Sequence, residues 1–224
     1  MISFPINSPS LISTVPLETW VEASWEDFLT FADDPALEKG KFYYDDGYMR
    51  IEMAPVGISH SYDDSTISML IMLFATLKSI PIKGLSNPSI RKAGIRECQP
   101  DKAFYIGADL TPPLHSNSIL RLDRPDQRDM PNLVIEIAVT SLLDDTTRKL
   151  QLYRKFGVKE YWVVDVNNCQ VQVTNLTTGE EITTSHLLPG LAIATVESAL
   201  MRSRTGDHGA VMRWLLTIFS ENKE

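Results

Sequence analysis

Apolar and polar positions along the chain switch between two periods, and the switches mark out its elements. In KFYYDDGYMRIEM (41–53) apolar residues flank Asp45-Asp46-Gly47, and Asp-Gly supplies the positive φ of a tight turn, so the stretch predicts a hairpin. From Ser59 to Ser79 the spacing lengthens, placing His60, Asp63, Ile67, Ile71 and Phe74 on one helix face. Short extended runs follow at Ser89–Lys92 and Lys102–Ile106, and Gly107–Met130 reads as a surface excursion ending at Pro131. Leu133–Ala138 is an apolar strand, and a helix begins near Asp144-Asp145 and stops at Gly157. Tyr161–Val166 is a strand, Gln170–Thr174 and Glu181–Ser185 form a second hairpin, and Val196–Met201 is helical. Ser24 is an N-cap for a short helix, with Asp27 completing a capping box. The order of elements implies one α/β domain with a mixed sheet over residues 20–203. It leaves 1–19 as a flexible arm and 204–224 as a tail that can be helical.

One helix carries an anomaly. At about 100° per residue, Leu152, Tyr153 and Phe156 all lie within about 60° of Lys149, so a lysine falls inside the apolar stripe. An inward lysine is rare without a negative partner. Two other charges stand in interior positions: Glu136, inside an otherwise apolar strand, and Asp101, which follows Pro100 at the mouth of another. Two carboxylates and a lysine with room for water form a hard-cation site, suited to Mg²⁺ or Mn²⁺, with Asp101 and Glu136 as the metal ligands.

The chain has 224 residues, 43% hydrophobic and 22% charged, an ordinary globular composition with ample material for a core. The formal net charge of −8 argues against a broad basic face that coats nucleic acid, while leaving room for acidic residues gathered around a metal. No uninterrupted apolar run reaches about 18 residues, so no membrane span is expected. The start lacks a basic region followed by an apolar run, and the two cysteines, Cys98 and Cys169, lack metal-ligand spacing. A cytoplasmic protein with free buried thiols is the expectation.

Pro100-Asp101, Glu136 in its apolar strand, and Lys149…Tyr153…GVKEYWVVD (157–165) together resemble the Uma2 family, a cyanobacterially abundant group of PD-(D/E)XK-type endonucleases. The hairpin YDDGY (44–48) and the His60 helix start share the resemblance, which covers most of the chain from Trp25 onward. It implies a restriction-endonuclease-like fold, Asp101 and Glu136 as metal ligands, and Lys149 as the catalytic lysine. The usual motif places its lysine two residues after the acid, where this chain has Ala138; the family pattern moves it to the next helix, where Lys149 stands.

Three further residues are candidate accessories. Glu52 reads as solvent-facing opposite Lys41, with a third-ligand role as the alternative. His60 reads as a capping or packing residue that could reach the site, and Tyr153 as a packing residue whose hydroxyl can touch it. Asp144 and Asp145 read as favourable helix-start charges and not as a metal site. The expected activity is Mg²⁺- or Mn²⁺-dependent hydrolysis of phosphodiester bonds in DNA by a homodimer. The alternative is a catalytically silent binding or regulatory module on the same fold.

Overall fold

A computed structural model describes residues 15–109, 119–123 and 129–221. The first half holds β1 (Trp20–Glu22), α1 (Trp25–Ala32), β2 (Lys41–Asp45), β3 (Tyr48–Glu52) and α2 (Ile58–Leu77). Short strands follow: β4 (Ile82–Ser86), β5 (Ile90–Lys92), β6 (Arg96–Cys98), β7 (Lys102–Ile106) and β8 (Leu120–Arg121). Next come β9 (Leu133–Ala138), α3 (Leu142–Asp144), a π-helical turn (Asp145–Lys149) and α4 (Leu150–Phe156). The chain then forms β10 (Glu160–Asp165), β11 (Gln170–Asn175), β12 (Glu180–Glu181), α5 (Ile193–Ser203) and α6 (His208–Glu221).

Two six-stranded mixed sheets carry the fold. One has the order β1-β3-β2-β6-β5-β8 and the other β12-β11-β10-β9-β7-β4. In the second sheet β9 and β10 run parallel, so the chain between them must cross over, and α3, the π-helical turn and α4 make that crossover. Residue alternation then sorts the core. Leu133, Ile135 and Ile137 of β9, with Trp162 and Val164 of β10, pack into the cluster built by α2, α5 and α6. Val134, Ala138, Tyr161 and Val163 point the other way, into a cluster with Tyr43 of β2 and Leu152 and Tyr153 of α4. On the hairpin, Phe42, Tyr44, Met49 and Ile51 pack beneath α1. Lys41, Tyr43, Arg50 and Glu52 occupy the alternate positions and so share the opposite face.

Several expected elements stand where the pattern put them. Ser24 caps α1 with the reciprocal Asp27 bonds. The β2–β3 turn uses Asp46 and Gly47 at positive φ, and Gly157 ends α4 at φ 85°. Trp162 and Tyr161 are core residues, and Cys98 and Cys169 are buried and unbridged. Among the described residues no helix is long and apolar enough to cross a membrane.

Other elements differ from expectation, each for a physical reason. The expected arm and excursion lie largely outside the described residues, although Glu18 is tied to the body through Arg50, Met53 and Ala54. Strands β4 and β6 have no alternation to reveal them. In β4 the central Gly84 makes room for the Phe104 ring, which a Cβ would approach to 2.9 Å. In β6, Glu97 sits in a strand only because Arg91 neutralises it. The stretch after 204 forms α6, whose Val211, Leu215 and Phe219 join the main core, Phe219 meeting Phe74 edge-on at 5.0 Å.

Candidate active site

The site lies where β9 outruns its neighbour. Strand β7 pairs with β9 only as far as Lys102 opposite Ile135, so the carboxyl end of β9 is open on that side. Asp101, just before β7, fills the gap: its Oδ2 accepts the backbone N–H of Ile137 at 2.8 Å. Its own backbone N–H lies 3.4 Å from Glu136 Oε2. A crevice at the carboxyl end of a parallel strand, where its neighbours diverge, is a favoured ligand position in α/β sheets. A cleft of about 310 Å³ opens here, and Lys41, Glu52, His60, Asp101, Glu136 and Lys149 all line it.

Glu136 takes the one inward position of β9 not filled by an apolar side chain, between Val134 and Ala138. The Tyr153 hydroxyl donates to its Oε1 at 2.5 Å, and the Tyr43 hydroxyl, which donates to the Gln99 carbonyl at 2.9 Å, lies 3.4 Å away. Lys149 Nζ stands 4.0 Å from the same oxygen. Burial, helped by the charges of Asp101 and Asp145 and opposed by Lys149, pushes Glu136 up to about 8. Asp101 goes the other way. Burial alone would raise it, but the hydrogen bond from His60 and the charge of Lys41 hold it well below the usual carboxylate range. His60 Nε2 is 3.3 Å from Asp101 Oδ1, and Lys41 bonds to that same oxygen.

Lys149 is fully buried, with 2% of its side chain exposed, which rules out an amine reaching along the surface to water. Its ammonium meets Glu52 Oε1 and Asp145 Oδ1 at 2.9 Å each and lies over the Tyr43 ring, 4.2 Å from the centroid. Burial lowers its pKa, yet the charges of Glu136, Asp145 and Glu52 outweigh that and raise it, so it stays protonated. Thus Lys149 has acidic partners, but the closest are not those the strand pattern suggested.

Two expectations are corrected here. Glu52 does lie opposite Lys41 in the hairpin register, yet its side chain turns inward. Burial would raise its pKa, but the charge of Lys149 and the hydrogen bonds from Arg50 and Lys149 lower it. It faces inward because Arg50 and Glu52 occupy the hairpin face turned away from α1. Asp144 and Asp145 are more than helix-start charges. Asp145 is buried, bonded by Ser141 at 2.6 Å and paired with Lys149, while Asp144 accepts from the Trp20 indole at 2.7 Å. The wide π-helical turn carries Asp145 and Lys149 on its inner side, a distortion common at functional sites.

Asp101, Glu136, Lys149, Glu52 and His60 therefore converge on one cleft, with Tyr153 buried behind it and bonded to Glu136. Sequence reasoning missed Lys41, Tyr43, Arg50 and Asp145. Only the inward alternation of the hairpin opposite its aromatic face could have pointed to the first three.

Among the described residues no three His, Cys, Asp or Glu side chains form a ready metal cage. The donor set suits a hard cation all the same, because Mg²⁺ binds through one or two carboxylates and keeps its remaining waters. Asp101 Oδ2 is held by a backbone N–H and Glu136 Oε1 by Tyr153, so a cation would bind through Asp101 Oδ1, in place of Lys41 and His60, and through Glu136 Oε2, which the Asp101 N–H approaches at 3.4 Å. The charges of Lys149 and Lys41 lower Glu136, but burial outweighs them.

This fold is shared with a crystal structure described as a "putative nuclease belonging to DUF820" from Anabaena variabilis ATCC 29413. That structure is 17% identical, aligns over 80% of this chain and 99% of its own, and has a TM-score of 0.55. The two share a mixed α/β fold of two sheets flanked by helices. The profile of the Uma2 family, described as "Putative restriction endonuclease", matches residues 25–205, and the chain belongs to that family. No curated protein matches it.

Proposed function

We propose that the protein is a divalent-metal-dependent endonuclease that hydrolyses phosphodiester bonds in DNA, with Asp101 and Glu136 as ligands of Mg²⁺ or Mn²⁺ and Lys149 as the lysine of the constellation. The observation that carries this reading is the meeting of Asp101 and Glu136 in one crevice, with the Asp101 N–H 3.4 Å from Glu136 Oε2. The cation would supply an activated water and offset charge on the phosphorane-like transition state. The chain's own residues prepare for it. His60 and Lys41 keep Asp101 ionised, while Tyr153, itself kept protonated by burial, donates to Glu136 and fixes the carboxylate plane. Lys149 balances Glu52, Asp145 and Glu136 and holds the acidic cluster together.

The reading predicts cleavage of single-stranded, duplex or branched DNA that needs Mg²⁺ or Mn²⁺ and disappears in Asp101→Asn and Glu136→Gln, both still folded by circular dichroism. A wild-type protein that leaves all three substrates intact with either metal would sink it. A silent binding or regulatory module on the same fold is the competing reading, favoured by the Lys41–Asp101 ion pair, which fills the crevice with a cation of the protein's own. The two diverge on Mn²⁺ binding: calorimetry shows a site dependent on Asp101 if the nuclease reading holds, and none if the crevice is silent. A homodimer, each protomer cutting one strand, completes the proposal, and mass measurement in solution checks it.

A further inference from the structure

Two lysines line the cleft, and the structure gives them unequal freedom. An ammonium has three N–H donors. Lys149 directs two of them at Glu52 and Asp145, both at 2.9 Å; Glu136 stands farther off at 4.0 Å, and the Tyr43 ring covers another side. Two donors are thus committed at hydrogen-bond distance, and with 2% of its side chain exposed Lys149 has little freedom to turn toward a substrate atom. Lys41 differs in each respect. Its side chain is 19% exposed, it lines the same cleft, and among the described residues its only ion-pair partner is Asp101. That partner oxygen is Asp101 Oδ1, the one a metal would have to take from Lys41 and His60.

Building on the nuclease reading above, we propose that Lys41 is the lysine that touches the substrate, donating from its ammonium to a non-bridging oxygen of the scissile phosphate, and that Lys149 is a positioning residue. A cation held by Asp101 Oδ1 would displace the Lys41 ammonium from its one ion-pair partner in the cleft that both line. The ammonium then has N–H donors to offer where negative charge grows on the phosphate. In the reaction itself the water oxygen forms the new bond to phosphorus and the bond to the leaving sugar oxygen breaks. The proton lost by the water passes to solvent, and the leaving oxygen takes one from solvent. Lys41 keeps its proton throughout, acting as a donor and not as a base. The hairpin register explains how it arrives: Lys41 opposes Glu52, so β2 and β3 deliver both charged groups to one face of the hairpin, where both line the crevice.

The full-length chain and its Lys41→Met, Lys41→Arg and Lys149→Met variants decide the matter through three readouts: cleavage of DNA oligonucleotides, Mn²⁺ affinity, and calorimetric binding of inorganic phosphate in the presence of Mn²⁺. Losing one preorganised donor lowers kcat by about 10²–10³, so Lys41→Met should show that loss. It should also weaken phosphate binding and leave Mn²⁺ binding equal or tighter, because the competing ammonium is gone. A residue that only supports the fold would not combine undiminished metal affinity with lost turnover. Lys41→Arg should restore part of both phosphate binding and turnover, and it serves as the working variant should the methionine form fail to fold. If Lys41→Met and Lys41→Arg cleave DNA and bind phosphate as the wild type does, the proposal is overturned while the nuclease reading stands. If wild-type protein cleaves nothing yet binds phosphate through Lys41, the nuclease reading falls and the assignment of Lys41 as the anion contact survives. If it neither cleaves nor binds phosphate, both fall.

Discussion

At the scale of single residues, the site is an exercise in charge balance at low exposure. Glu52, Asp145 and Glu136 share the Lys149 ammonium, so removing it strands buried carboxylates with too little positive charge. Lys149→Met should therefore destabilise the protein by about 3–5 kcal/mol, read from urea unfolding. A variant as stable as the parent would show that those acids do not depend on it. Glu136 makes a pH-dependent contribution. Its carboxyl is pushed from the ordinary 4.5 up to about 8 by burial, so within that window the folded chain holds a proton the unfolded chain has released. Stability of the metal-free protein should then fall as pH rises from 5 to 8 and be greatest on the acid side. Glu136→Gln should flatten that slope in urea melts recorded in EDTA; an unchanged slope would assign the effect to another group.

Elements were legible to the extent that they carry their own signal. The hairpin at 41–53 showed itself through Asp-Gly and alternation, and α1 through its reciprocal cap. Ser24→Ala removes that cap and should cost about 1 kcal/mol in thermal or urea unfolding. Strands β4 and β6 stayed hidden because a glycine in one and two charged residues in the other erase the period-two pattern, and only their neighbours complete them. Helix α6 has the spacing of a packed helix at Val211, Leu215 and Phe219, but its role depends on α2 lying alongside. Phe219→Ala should cost about 3–5 kcal/mol, an outcome a frayed tail would not show. The crossover helix was read correctly in position and termini, but not in its wide turn, since backbone bulges respond to what the side chains must reach.

For the molecule as a whole, net charge sets the terms of any meeting with DNA. At −8 the protein repels a polyanion unless cations intervene. In EDTA at physiological salt it should fail to shift a DNA oligonucleotide in a native gel, whereas Ca²⁺, an oxygen-seeking cation, should allow a complex. A shift of equal strength without any divalent ion would mean that a basic surface, and not the metal site, holds the nucleic acid. By itself the amino-acid sequence determined the α/β class, the main helices and strands, and the inward direction of Lys149 and Glu136, because face and period are properties of a single element. Tertiary structure alone decided which acids meet which lysines: Glu52 and Asp145 with Lys149, Asp101 with Lys41. Those pairings depend on the distance and angle between elements far apart along the chain, and no periodicity within one element encodes either quantity.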